Sequence, residues 1–130
     1  MAVIQYNPTE GSETNDPGVV LSAAQTGNAD STNTLDRGPL SGPAAVVITS
    51  AIGATPTVTV NILASSDGTN FYNVSYALVA TPSTNVVAAI TITTAVTTTY
   101  LIEAFKSWRY LKLNLSSNTN VTLTASAWSR

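Results

Sequence analysis

Between Thr57 and Leu63 the chain alternates strictly. Val58, Val60 and Ile62 share one parity, while Thr57, Thr59 and Asn61 share the other. A period of two is the mark of a strand with one buried and one wetted face. The same period returns at Arg109, Leu111, Leu113 and Leu115, opposite Trp108, Tyr110, Lys112 and Asn114, and again at Val121, Leu123, Ala125 and Ala127. No segment of helical length carries sustained three-to-four spacing. β-branched residues dominate, and pleated surfaces accept them better than helices do. The pattern predicts an all-β fold: one antiparallel β-sandwich, jelly-roll-like, of about eight short strands at regular spacing.

Turn chemistry divides those strands. Ser65-Ser66-Asp67-Gly68-Thr69-Asn70 predicts a hairpin, because Asp caps nearby amides and Gly takes the left-handed position. The returning strand runs from Phe71 to Leu78, with Tyr72, Val74, Tyr76 and Leu78 on one face. Further breaks fall at Gln25–Asn28, Asp36–Pro43, Gly53–Pro56, Thr81–Ser83 and Ser116–Asn120, and a further strand spans Val86–Thr93. Residues 1–17 are polar, acidic and rich in turn formers, too poor in apolar surface to offset the entropy of ordering. They are expected to form a flexible N-terminal arm, leaving residues 18–130 as the sandwich domain.

Charge then narrows function. Only 9% of the 130 residues are charged, against roughly 25% in an average domain. The net charge of −2 speaks against an electrostatic nucleic-acid binder. With no Cys and no His, the chain lacks a disulfide framework, a thiol nucleophile, and the commonest general base and metal ligand. No cofactor, no metal and no enzymatic activity are expected. Asp67 reads as a turn former rather than a calcium ligand, and Glu103 as a surface residue. No apolar run is long enough for a transmembrane helix, and the first residues lack the pattern of a signal peptide, so no membrane partner is expected.

The charges are also segregated. Five of the seven acids lie at Glu10, Glu13, Asp16, Asp30 and Asp36, while four of the five bases lie at Lys106, Arg109, Lys112 and Arg130. Such a split serves a contact between copies, pairing within one chain, or simply solubility. Candidate interface residues are Glu10, Glu13 and Asp16 on the arm, with Arg109, Lys112, Trp128 and Arg130 towards the other end. By alternation Trp128 faces away from Leu123 and Ala127, which suits an interface anchor. The aromatic residues Phe71, Tyr72, Tyr76, Tyr100, Trp108, Tyr110 and Trp128 have two fates open to them, core packing or a sugar-stacking platform.

Three pieces together resemble the small β-sandwich virion proteins of tailed bacteriophages. They are Gln25-Thr26-Gly27-Asn28 with Leu35-Asp36-Arg37-Gly38, the alternating strand leading into Ser65–Phe71, and Trp108–Asn114 with a closing strand that ends in Trp128. The resemblance spans roughly residues 18–128 and implies no catalytic residues. It implies a non-enzymatic capsid decoration, or cement, protein. Such a protein is made in the host cytoplasm and sits on the capsid surface of the virion. It stabilises the lattice of the major capsid protein, as a homo-oligomer with a trimer favoured. A neck, tail or fibre component and a carbohydrate-binding or adhesion module are the alternatives.

Overall fold

Two strands carry most of the architecture. In the computed structural model, which describes residues 2–5, 18–38, 40, 42–102 and 108–129, the chain forms β1 (Ala2–Gln5), β2 (Val19–Gln25), β3 (Asn33–Asp36), β4 (Ala44–Ser65), β5 (Tyr72–Asn73), β6 (Tyr76–Leu78), β7 (Ile90–Ile92), β8 (Thr97–Ile102) and β9 (Tyr110–Ser129). The fold is all-β, with no helix among the described residues. All nine strands join one mixed sheet in the order β1-β3-β9-β4-β8-β6, with β2 also on β9 and β5 and β7 also on β4.

In place of about eight short strands, the described residues form nine, two of which run 22 and 20 residues. The breaks expected at Gly53–Pro56 and Ser116–Asn120 lie inside β4 and β9, opposite one another. Ala44–Ile52 pairs with Val121–Ser129, and Thr57–Ser65 pairs with Tyr110–Thr119, the register shifting between Ile52 and Thr59. Thr55, Ser117 and Asn120 take positive φ there. An interruption in one strand is matched by an interruption in its partner, so the ladder resumes instead of ending. Asn120 spans the break, its Nδ2 donating to the Ala54 carbonyl at 2.6 Å. Asn118 ties it to the 26–28 turn, its Nδ2 donating to the carbonyls of Thr26 and Val121 and its backbone N–H to Asn28 Oδ1.

Parity survives the break. Ala44, Val46, Ile48, Val58, Val60, Ile62 and Ala64 on β4, and Leu111, Leu113, Leu115, Val121, Leu123, Ala125 and Ala127 on β9, belong to one buried cluster. Twenty-two residues drawn straight would span about 70 Å, roughly twice the width of a compact chain this size. The accessible surface of 6630 Å² matches the ~6,500 Å² of a compact 13.5 kDa chain. The long pair therefore curves around its core at the matched interruption.

Other expectations need correction. The sheet is not wholly antiparallel, because β1 pairs with β3 in parallel register. Ala2–Gln5, expected within a flexible arm, form that strand, whereas residues 6–17 lie outside the described residues. The single strand expected over Phe71–Leu78 divides, since β5 follows β4 and β6 moves to β8. Val74 and Tyr76 are buried, but Tyr72 and Leu78 are exposed. Of Val86–Thr93 only Ile90–Ile92 is a strand, with Val86 adding a single bridge to Tyr76.

Candidate interaction surface

The nearest partners of the described charges lie within the chain. β3 lies against the start of β9, with Asp36 opposite Tyr110. That register carries Asp36 to the Arg109 guanidinium, whose Nε and Nη2 donate to its two carboxylate oxygens at 2.8 and 3.1 Å. One bridge further along, Asp30 faces Asn114. There Lys112 Nζ and Asn114 Nδ2 donate to Asp30 at 2.8 and 2.9 Å. Lys112 is largely buried, its ammonium 4.0 Å from the Phe71 ring centre. Arg109 and Lys112, two of the candidate interface bases, thus serve ion pairs across the β3 side of the sheet. Glu10, Glu13, Asp16 and Arg130, like Glu103, lie outside the described residues.

These pairs set a pH dependence. The hydrogen bond from Arg109 holds Asp36 below the usual aspartate range, and that from Lys112 does the same for Asp30, in both cases against the cost of burial. A carboxylate whose folded pKa is lowered stabilises the fold fully above its unfolded value, near 3.9, and loses that contribution as pH falls through the folded value. The urea midpoint is therefore expected to decline below about pH 5. An Asp36→Asn chain is expected to start lower at pH 7 and decline less steeply. A midpoint flat down to pH 3 in the unsubstituted chain would contradict the pairing.

Arg37 is built differently. It is 5% exposed. Its Nε donates to the Trp108 carbonyl at 2.8 Å and its Nη1 to the Gly42 carbonyl at 2.7 Å, while its guanidinium lies 3.8 Å from the Trp108 ring centre. Main-chain carbonyls and an aromatic face therefore satisfy this buried cation. Tyr76 and Tyr100 meet edge to face in the core at 5.3 Å. Of the seven rings weighed for sugar stacking, Tyr72 alone is exposed, at 42%. Trp108 is buried beneath Arg37. These rings do not form an open platform.

The Asp67 turn closes on itself. Asp67 Oδ1 accepts from the N–H groups of Thr69 and Asn70 at 2.8 Å, and Oδ2 accepts from Asn70 Nδ2 at 2.8 Å. Those donors push its pKa far below the usual range. The carboxylate is occupied by its own turn, and Gly68 at φ +81° places its backbone under the Tyr110 ring. No group of three or more acidic side chains gathers as a metal cage among the described residues.

What the fold presents outward is the back of β8, β4 and β9. Register fixes its rows: Leu101, Ala45 and Trp128, then Thr99, Val47 and Ser126, then Thr97, Thr49 and Thr124. None of these nine positions is charged. Thr49 and Thr97 hydroxyls meet at 3.1 Å. At the first row the face opens into an apolar cleft of about 330 Å³, bounded by Pro43, Pro82, Leu101 and Trp128. Trp128 lies on the face of β9 opposite Leu123 and Ala127, partly buried against the core and lining that cleft. The sequence placed Trp128 correctly by parity. It did not reveal the cleft, because Pro43 and Pro82 reach it through non-local strand pairing.

The fold and this face define a class: an all-β domain on a mixed sheet, nine-stranded among the described residues, with one uncharged β8–β4–β9 face. No family model matches the sequence, and no curated protein matches it. A solved structure, that of the SPBc2 prophage-derived protein YomS, is similar with a TM-score of 0.55 and 10% identity, covering 85% of this chain and 88% of that one. At that identity the likeness is one of fold.

Proposed function

We propose that this chain is a non-enzymatic structural protein of a phage particle, and that it decorates the capsid by binding the lattice of the major capsid protein. The observation that carries the structural role is the uncharged β8–β4–β9 face with Trp128 at its apolar end. Threonine and serine hydroxyls hydrogen-bond to a neighbouring protein surface without the desolvation cost that buried ions incur. A partly buried tryptophan beside a cleft supplies the aromatic anchor on which interfaces commonly depend. The phage context is supported by the fold shared with a prophage-derived protein. In this reading the curved sheet is a jelly-roll-like sandwich. The protein is made in the host cytoplasm and assembles on the capsid surface as a homo-oligomer, a trimer being the simplest that matches capsid three-folds.

Quantifying the chain in purified particles tests this. Decoration requires on the order of hundreds of copies per particle, in fixed ratio to the major capsid protein, as lattice symmetry dictates. About a dozen copies or fewer would place it in the neck, tail or fibre instead, as a ring or spike of low symmetry order does. Its absence from washed particles would overturn the reading.

A further inference from the structure

β1 is attached to the molecule in a way no other strand is. Among the described strands it forms the only parallel pair, Ala2–Gln5 against Asn33–Asp36. The side chains of Ala2, Val3 and Ile4 do not enter the core cluster, and Val3 and Ile4 remain 57% and 36% exposed. What holds it is the ladder itself, for example Ala2 N–H to the Thr32 carbonyl at 3.1 Å. The strand beneath is the reverse case. Thr34, Leu35 and Asp36 of β3 are all buried, and β9 occupies the other side of β3. Without β1, the outer edge of β3 would expose unpaired amides and carbonyls, a template for a strand from any source.

Residues 6–18 join β1 to β2. Thirteen residues reach at most about 45 Å, comparable with the width of the whole chain. A β1 from another copy would find the same register, the same ladder and the same buried edge. The covalent tether favours the copy's own strand only through effective concentration, of the order of millimolar for a short connection. Closely packed copies approach that concentration.

We propose that β1 is an exchangeable strand: in assembled protein, Ala2–Gln5 of one copy lies on β3 of a second copy of this chain. Each exchange links two bodies through main-chain hydrogen bonds and brings the exposed Val3 and Ile4 into the junction between them. The inference concerns purified protein, and it stands whether or not the chain belongs to a phage particle.

The chain has no cysteine, so introduced thiols report without background. Val3 and Thr34 are register partners. Val3→Cys and Thr34→Cys chains, mixed, concentrated to about 1 mM and oxidised, are expected to form a disulfide-linked dimer joining positions 3 and 34, identified by peptide mass. The linked fraction is expected to rise with concentration and to vanish when the Val3→Cys chain also carries Ile4→Pro, because proline removes a ladder donor. A Val3→Cys/Thr34→Cys double variant that closes only within one chain at every concentration would overturn exchange. Sedimentation of chains without any cysteine gives a second measure, independent of substitution in β3. The unsubstituted chain is expected to associate, and the Ile4→Pro chain to stay monomeric. Equal behaviour of those two would also overturn the proposal.

Discussion

Leu113→Ala is expected to lower the unfolding free energy by about 3–4 kcal/mol, read as a drop in urea midpoint with little change in slope. Leu113 is fully buried and pairs across the long ladder with Ile62, itself in the core. Removing three carbons from such a site loses their transfer free energy and leaves a cavity that close-packed strands refill only in part. The change matters against a typical total of about 5–15 kcal/mol. Leu101→Ala provides the contrast, since Leu101 sits on the outer face and is only partly buried. Its cost is expected to stay near 1 kcal/mol or below. Equal losses for the two would mean that the parity of the long ladder is not what separates core from surface.

The second large effect is expected at Gly18, where alanine should cost about 2–4 kcal/mol. Gly18 has φ +70°, a region alanine enters only with strain. A Cβ there would lie 2.7 Å from the Ala127 carbonyl oxygen and 2.7 Å from Trp128 Cε2. The first of these is backbone of a strand paired on both sides there, with Val19 and with Val46, so it cannot yield cheaply. The second is the ring that lines the apolar cleft. Gly18→Ala is therefore expected to shift the Trp128 fluorescence as well as the urea midpoint. Gly27→Ala should do neither, because a Cβ at Gly27 meets nothing within 4 Å. A Gly18→Ala chain with unchanged midpoint and emission would show that the ring does not rest on this glycine.

How much of this could be read in advance depended on whether the signal was local. Alternation at Val58–Ile62, Leu111–Leu115 and Val121–Ala127 named the core side chains of those three stretches, though not Ala44, Val46, Ile48 or Ala64, because parity needs only neighbours in sequence. The Asp67–Gly68 turn was legible for the same reason. The long strands were not. Gly53, Pro56, Asn118 and Asn120 are residues that usually end strands, and only their mutual pairing turns two endings into one interruption. The charge segregation was legible as composition but not as geometry. Asp36 and Arg109 are 73 positions apart, and their meeting depends on β3 lying beside β9. The apolar cleft failed on the same ground, since its walls come from chain positions near 43, 82, 101 and 128.

The pairing of β4 with β9 also governs how the chain comes to be folded. Its innermost pair, Ser65 with Tyr110, closes a loop of more than forty residues, and its outermost, Ala44 with Ser129, joins positions 85 apart. Such contacts demand loop-closure entropy before any ladder hydrogen bond compensates for it, which places this domain among slow, topology-limited folders. A nascent chain holds β4 long before β9 emerges, so neither half of the ladder can form until β9 itself has been synthesised. Once formed, the same two strands run through both halves, and they are expected to protect their amides from exchange as a single cooperative block.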